Sequence, residues 1–560
     1  MSTLYDADDA TQILALLKAK EPLITRMCQS GGAPGLSVGV IHHGKPLYSH
    51  HFGHRDVLTG QQPDDETTFF IGSLTKAMVS ALTGIYVHKG LLNWTTPVCR
   101  ILPELDGQFG GRGSVMTVSD LLSHRTGISR NDALWLQSAG TILLKKDQAL
   151  ETWAAQPLVR EFRADYLYNN YGYELVARAL ERLTGQSLGT CLQNEIFEPL
   201  RMTRTSLDES LPSDTNFAKA YFALQNASPF EVPIPTISNK TIMSGAGSVR
   251  SCTRDLLLFY SSFMHAANDQ FNNKSTSTLG SPFKHLLTIL RPHNQLTSFI
   301  SLREQSYALG WGRAELPCTL GVFNYNKYLV PTMPTIGYNA PSRLVVYHGG
   351  SMQGFSSAVY LLPETETAIF TLQNSTGLCD PCDWVSQLFI ENVFTRPPSQ
   401  QQMVTDDDFE RLVAVASETG KGLASKIHDQ LQQTREPNTK HRDLKVYVGK
   451  YWNSPRTFCF DISAVEEKEE EGGYLSMCLQ GNVIEKYKLR HYHHDVFVWN
   501  EPHDATAKRG RFQTRPLCSY KIEFGSLETD KEKPGSIDCL RWAFDETHPV
   551  PGTFTRDDVA

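Results

Sequence analysis

The chain has 560 residues, of which 40% are hydrophobic and 20% charged, and it carries a net charge of −7. That length allows two or more domains with sizeable cores, and without a basic block it argues against a nucleic-acid partner. The start, Met-Ser-Thr-Leu-Tyr-Asp, lacks a basic segment followed by an apolar one, and no apolar run reaches bilayer length. A cytoplasmic protein without a membrane partner is therefore expected, and its 11 scattered cysteines read as reduced thiols.

In chain order, residues 35–53 read as a hairpin turning at His42-His43-Gly44-Lys45. Gly35-Leu36-Ser37-Val38-Gly39 matches G-x-S-x-G, but the apolar run continues through Val40-Ile41, so Ser37 is placed inside a strand and not at a nucleophile elbow. Ser73-Leu74-Thr75-Lys76 opens a stretch in which Leu74, Ala77, Met78, Ala81, Leu82 and Ile85 recur at helical spacing. A serine at a helix start faces free N–H groups, and Lys76 lies one turn on. Burial lowers a lysine's pKa, so Ser73 and Lys76 form a compact nucleophile and base.

Tyr168-Asn169-Asn170 precedes an amphipathic helical pattern over residues 171–180. Gly245-Ala246-Gly247-Ser248 and Leu309-Gly310-Trp311-Gly312 are glycine-rich punctuation between later elements. Tyr347-His348-Gly349-Gly350-Ser351 sits between two apolar, strand-like runs. Pro397-Pro398-Ser399-Gln400-Gln401-Gln402 is a composition break. Residues 406–434 carry a helical pattern that looks interrupted around Gly420 and Gly422. From residue 440 onward, short strand-like runs alternate with turns, which argues for an antiparallel barrel or sandwich. The acidic run 466–471 reads as a solvated hairpin loop. His491-Tyr492-His493-His494-Asp495 matches H-x-H-x-D but falls in this strand-rich part, so no catalytic metal and no cofactor are expected.

S-x-x-K, then Y-x-N, then H-x-G, in that order and widely spaced, resembles the serine β-lactamase and penicillin-binding-protein superfamily. The match is to its class C β-lactamase, esterase and D-aminopeptidase branch, which includes fungal transesterases. Thr117-Val118-Ser119-Asp120 through Gly127 resembles a further family loop, and coverage runs over roughly residues 20–395. The C-terminal part looks like the lipocalin-like domain attached to many members. The expected fold is thus an α/β (α+β) domain with an antiparallel sheet flanked by helices, plus an all-β barrel-like domain. The expected division is residues 1–396 catalytic, 397–439 linker with a helical segment, and 440–560 barrel.

The resemblance implies that Ser73 attacks a carbonyl and forms an acyl-enzyme, with Lys76 and Tyr168 sharing the proton work. It implies a Tyr168 phenol made acidic by neighbouring positive charge. Asn170 is expected to bond Lys76 and the substrate. His348, Gly350 and Ser351 are expected to form the substrate-binding strand, with the N–H groups of Ser73 and Ser351 as the oxyanion hole. Gly349 and Gly350 are expected to leave room for the substrate. Histidine where relatives often carry lysine disfavours a dedicated penicillinase. The partner is then a small-molecule ester, amide or acyl-thioester. The expected function is an acyl-enzyme hydrolase of esterase, amidase or D-peptidase type in small-molecule or secondary metabolism, the alternatives being an acyltransferase that moves the acyl group onto an alcohol and a catalytically silent binding protein. Residues 130–165 and 265–305 are expected to shape the pocket. The barrel is expected to wall it, to supply no chemical group and to be separable.

Overall fold

The structure is a computed structural model that describes residues 7–207, 216–296, 301–338, 340–394, 403–466, 473–513, 516–527, 536–545, 547–548 and 550–557. The break at 397–402 and acidic residues 467–471 lie outside them.

An eight-stranded sheet forms the first half. Its order is Lys45–Gly53, Gly35–His42, Thr367–Gln373, Phe355–Leu362, Arg343–Met352, Gly312–Leu316, Gln305–Tyr307 and Asn294–Gln295. Every pairing in it is antiparallel. Both faces are covered, so its central strands are apolar throughout instead of alternating with polar residues. In Phe355–Leu362, Val359 and Leu361 join one core, while Ala358, Tyr360 and Leu362 join the other. The helix Pro381–Phe394 packs on one face, and Thr253–Asn273 packs on the other. The first hairpin turns through His43 (φ 50°) and Gly44 (φ 72°), the left-handed pair that a two-residue hairpin needs. Ser37 lies within the strand Gly35–His42 and is fully buried.

The helix expected to break at Gly420 does not. Asp406–Gln433 runs for 28 residues from a Thr405–Asp408 capping box. A Cβ on Gly420 would stand 2.1 Å from the carbonyl oxygen of Leu378, so that glycine permits close packing against the catalytic part.

Eight strands, from Gly449–Trp452 to Gly552–Arg556, pair in sequence order into a closed barrel. Large side chains fill it: the Phe460 ring meets Trp542 at 5.3 Å and Phe554 at 4.8 Å. The barrel is fastened to the catalytic part by buried polar contacts as well as by a shared apolar core. Glu485, fully buried, accepts the N–H of Ser138 at 2.8 Å, and the Ser138 and Tyr487 hydroxyls lie 2.6 Å apart. Thr152 and Thr457 hydroxyls are 2.9 Å apart. Such contacts tie the barrel to the loops around residues 138 and 152.

Candidate active site

The position of Ser73 is built by a tight approach between two backbones. Ser73 sits in a 3₁₀ turn, Gly72–Leu74, that feeds the helix Thr75–His88. The N-cap position of that helix is Leu74, with no side-chain cap, so Ser73 is not spent as an N-cap. Gly72 has φ 50°, and a Cβ there would lie 2.6 Å from the backbone nitrogen of Ser351. Glycine is needed on both counts. The strand Arg343–Met352 therefore runs directly beside the serine turn, bringing Ser351 next to Ser73.

Lys76 is fully buried, and its Nζ lies 2.9 Å from Ser73 Oγ. It also donates to Asn170 Oδ1 and to the Ala246 carbonyl, each at 2.8 Å. The Tyr168 hydroxyl reaches Ser73 Oγ at 2.7 Å. Asn169 holds this arrangement together: its side-chain oxygen caps the helix Asn170–Thr184 by accepting Tyr171 N–H at 2.9 Å. Its amide donates to the carbonyls of Ile128 and Ser129 at 2.9 and 3.1 Å.

Burial lowers the Lys76 pKa to about 7, against a smaller opposing pull from Asp132. A near-neutral amine beside a serine hydroxyl is suited to take its proton. Tyr168 goes the other way. Burial pushes its phenol up, outweighing the hydrogen bond with Ser73, so the expected acidic tyrosine is overturned. Lys76 is the group poised to change charge, and Tyr168 is a neutral donor.

His348 is 1% exposed, and its ring stacks on Phe323 at 4.5 Å. Nδ1 lies 2.6 Å from the Gly349 carbonyl and must donate to it, which leaves Nε2 to accept from the Tyr307 hydroxyl at 3.0 Å. Burial, reinforced by Lys76, lowers its pKa to about 3. The ring is neutral, and neither nitrogen is left for a substrate. The glycines beside it also permit close approach of other elements. A Cβ on Gly350 would lie 2.1 Å from the Ile71 carbonyl oxygen, and one on Gly349 would lie 2.5 Å from Asn324 Oδ1. They let the serine turn and the Asn324 loop close on the strand.

Asp132, Tyr307 and Phe323 were missed in the sequence, since none belongs to a motif. Asp132 Oδ1 accepts from Asn170 Nδ2 and Trp135 Nε1, both at 3.0 Å, and so orients the amide that holds Lys76. Two clefts adjoin the site. One contains Gly350 and Ser351, and the other contains Arg130, Asp132 and Gln137. Residues 130–137 thus contribute as expected, but no described residue of 265–305 lines either cleft.

Two decoys are also placed. Ser37 Oγ is 2.9 Å from His51 Nδ1, and His51 Nε2 is 3.1 Å from Asp65 Oδ1, a Ser–His–Asp row whose serine is sealed inside the sheet. The histidine run lies on the barrel strand Lys486–His493 and its following turn, where Glu436, His493 and His494 offer ligand atoms within 4.8 Å of one another. None of these three lines either cleft beside the serine.

Residues 21–384 match the Beta-lactamase family. The chain belongs to that family. An unguisins hydrolase of Aspergillus violaceofuscus is 24% identical over 75% of this chain and 72% of its own length. The protein Flp of Staphylococcus aureus is 21% identical over 63% of this chain and 62% of its own length, so the chain spans under two thirds of that relative. The octameric penicillin-binding protein homologue from Pyrococcus abyssi shares the fold at a TM-score of 0.55 and 17% identity, over 96% of this chain and 99% of that one. No helix among the described residues is long and apolar enough to cross a membrane.

Proposed function

We propose that the protein is a serine hydrolase that cleaves ester or amide bonds through an acyl-enzyme on Ser73. The observation that carries this reading is the convergence of Lys76 Nζ and Tyr168 OH on Ser73 Oγ, at 2.9 and 2.7 Å, with the lysine pKa lowered to about 7 by burial. The hydrolase name of the Aspergillus relative supports the same class.

The steps follow from the protonation states. Neutral Lys76 takes the proton of Ser73 as Oγ attacks the carbonyl carbon. The backbone N–H groups of Ser73 and Ser351, brought together by the Gly72 contact, receive the developing oxyanion. Tyr168 gives its proton to the leaving oxygen or nitrogen as the tetrahedral species collapses. Its phenolate, beside protonated Lys76, then takes a proton from water, which attacks the acyl carbon. Lys76 returns its proton to Ser73 Oγ as the acid leaves, and the enzyme is restored.

The test is labelling by a fluorophosphonate, read by intact mass, together with turnover of activated esters. Ser73→Ala should abolish both, and Ser37→Ala should retain labelling. Labelling that persists on the Ser73→Ala protein would sink the assignment. Running the ester assay with added alcohols separates hydrolysis from transfer: a dominant ester product would make the protein an acyltransferase using the same first half-reaction.

A further inference from the structure

Both clefts beside the nucleophile are bounded by the same barrel segment, residues 511–513. They hold about 850 and 870 Å³ of open space. The first is rich in aromatic side chains, with Phe222, Phe323, Phe355 and Phe512 in its lining. The helix His503–Lys508 that delivers the segment is docked on the catalytic part. His503 Nε2 lies 3.0 Å from the Ala223 carbonyl, and Asp504 Oδ1 accepts the Gln225 N–H at 2.8 Å.

Arg511 is the unusual member of that segment. Its guanidinium lies 4.0 Å from the Trp499 ring centre and 5.2 Å from that of Tyr487, held by the faces of two barrel aromatics. Among the described residues no carboxylate pairs with it, and its side chain makes no hydrogen bond. The other charges nearby are engaged. Arg130 reaches Asp132 at 3.4 Å, and Lys76 serves Ser73, Asn170 and Ala246. His348, on the strand that carries Ser351, is a neutral ring with both nitrogens engaged. A partly buried cation with aromatic contacts but no carboxylate partner, in an aromatic cleft shared with Ser351, is suited to a ligand anion.

We propose that Arg511 is the anchor for a carboxylate carried by an otherwise apolar ester or amide substrate, a step that rests on the hydrolase reading above. The guanidinium fork matches a carboxylate in a bidentate pair, and its contact with Trp499 at 4.0 Å holds it at the cleft. One unpaired cation balances one negative charge, which fits a monocarboxylate better than a phosphate dianion. The catalytic carbonyl then lies toward Ser351, and the barrel sets which substrates reach it without entering the chemistry.

The experiment uses the full-length protein and two activated aryl esters whose acyl chains end in a carboxylate or in the isosteric primary amide. Wild-type kcat/KM should favour the carboxylate by roughly ten- to hundredfold, chiefly through KM, because a hydrogen bond to a charged group contributes that much. Added salt should shrink the preference. Arg511→Gln should erase it, and Arg511→Lys should restore part of it. Equal wild-type kcat/KM for the two esters overturns the anchor and leaves the hydrolase intact, as does a preference that survives in a folded Arg511→Gln protein. Turnover of neither ester defeats the hydrolase reading and the anchor with it. Wild-type selectivity decides the matter if Arg511→Gln does not fold.

Discussion

The Asp545 carboxylate, in the barrel, accepts the backbone N–H of Arg130 at 2.7 Å, and it also receives the Ser129 hydroxyl. Two residues further on, Asp132 orients Asn170, and Asn170 holds Lys76. The barrel thereby sets the position of the loop behind Lys76.

Asp545→Asn keeps the shape but removes the charge and turns one acceptor into a donor. It should cost about 2 kcal/mol of stability, since hydrogen bonds to a buried carboxylate are among the stronger ones. It should also lower kcat roughly ten- to hundredfold through misplacement of Asp132 and Asn170. Thermal unfolding and ester kinetics measure both, and wild-type kcat would refute the coupling. For the same reason a chain ending at residue 394 should lack activity even on small esters.

The pH profile should follow Lys76. With its pKa lowered to about 7, the amine is neutral above that pH, so kcat/KM should rise through pH 7 as the base becomes available. The Asp132 carboxylate favours the charged lysine. Asp132→Asn removes that pull, so the rising limb should move to lower pH even as the maximum rate falls. A limb that stays in place or moves to higher pH would contradict the assigned base.

Tyr168→Phe and Lys76→Ala should each lower kcat/KM by orders of magnitude, and the double mutant should be little worse than either. Both groups act in the same acylation step at Ser73 Oγ, one taking the serine proton and the other protonating the leaving group, and residues that act as a unit are far from additive. Tyr168→Phe retains the ring and should leave the melting temperature close to wild type. Losses that add in free energy would show independent action, and near-normal turnover by Tyr168→Phe would remove the tyrosine from the mechanism.

Two glycines should respond in opposite directions to alanine. At Gly350 a Cβ would lie 2.1 Å from the Ile71 carbonyl and 2.3 Å from Ser357 Oγ, so the strand and the serine turn must part. A loss of about 1–3 kcal/mol is expected from such overpacking, together with loss of Ser73 labelling. Gly422 is exposed in the helix Asp406–Gln433, with nothing within 4 Å of an added Cβ. Gly422→Ala should stabilise by roughly 0.5–1 kcal/mol. Denaturant unfolding of both variants reads the difference.

By itself the sequence determined the parts of this protein that are local. Ser73 and Lys76 are one helical turn apart. Tyr168 and Asn170 flank a helix cap, and His348 through Ser351 lie on one strand. Such features are carried by short-range geometry and show as spacing. The hairpin turn and the strand-rich C-terminal part were legible for the same reason. The helix interruption at Gly420 was misread, because a glycine that breaks a helix and one that packs against a carbonyl are identical in sequence.

Only the tertiary structure decided what surrounds those motifs. Asp132 and Asn170 are separated by 38 residues, and Asp545 and Arg130 by 415. Neither pair leaves a periodicity or motif. The protonation states were decided there too, because a pKa depends on how much water and which charges reach a group. Burial lowered Lys76 to near neutrality, raised Tyr168 and lowered His348, and it did so by packing elements that are far apart along the chain.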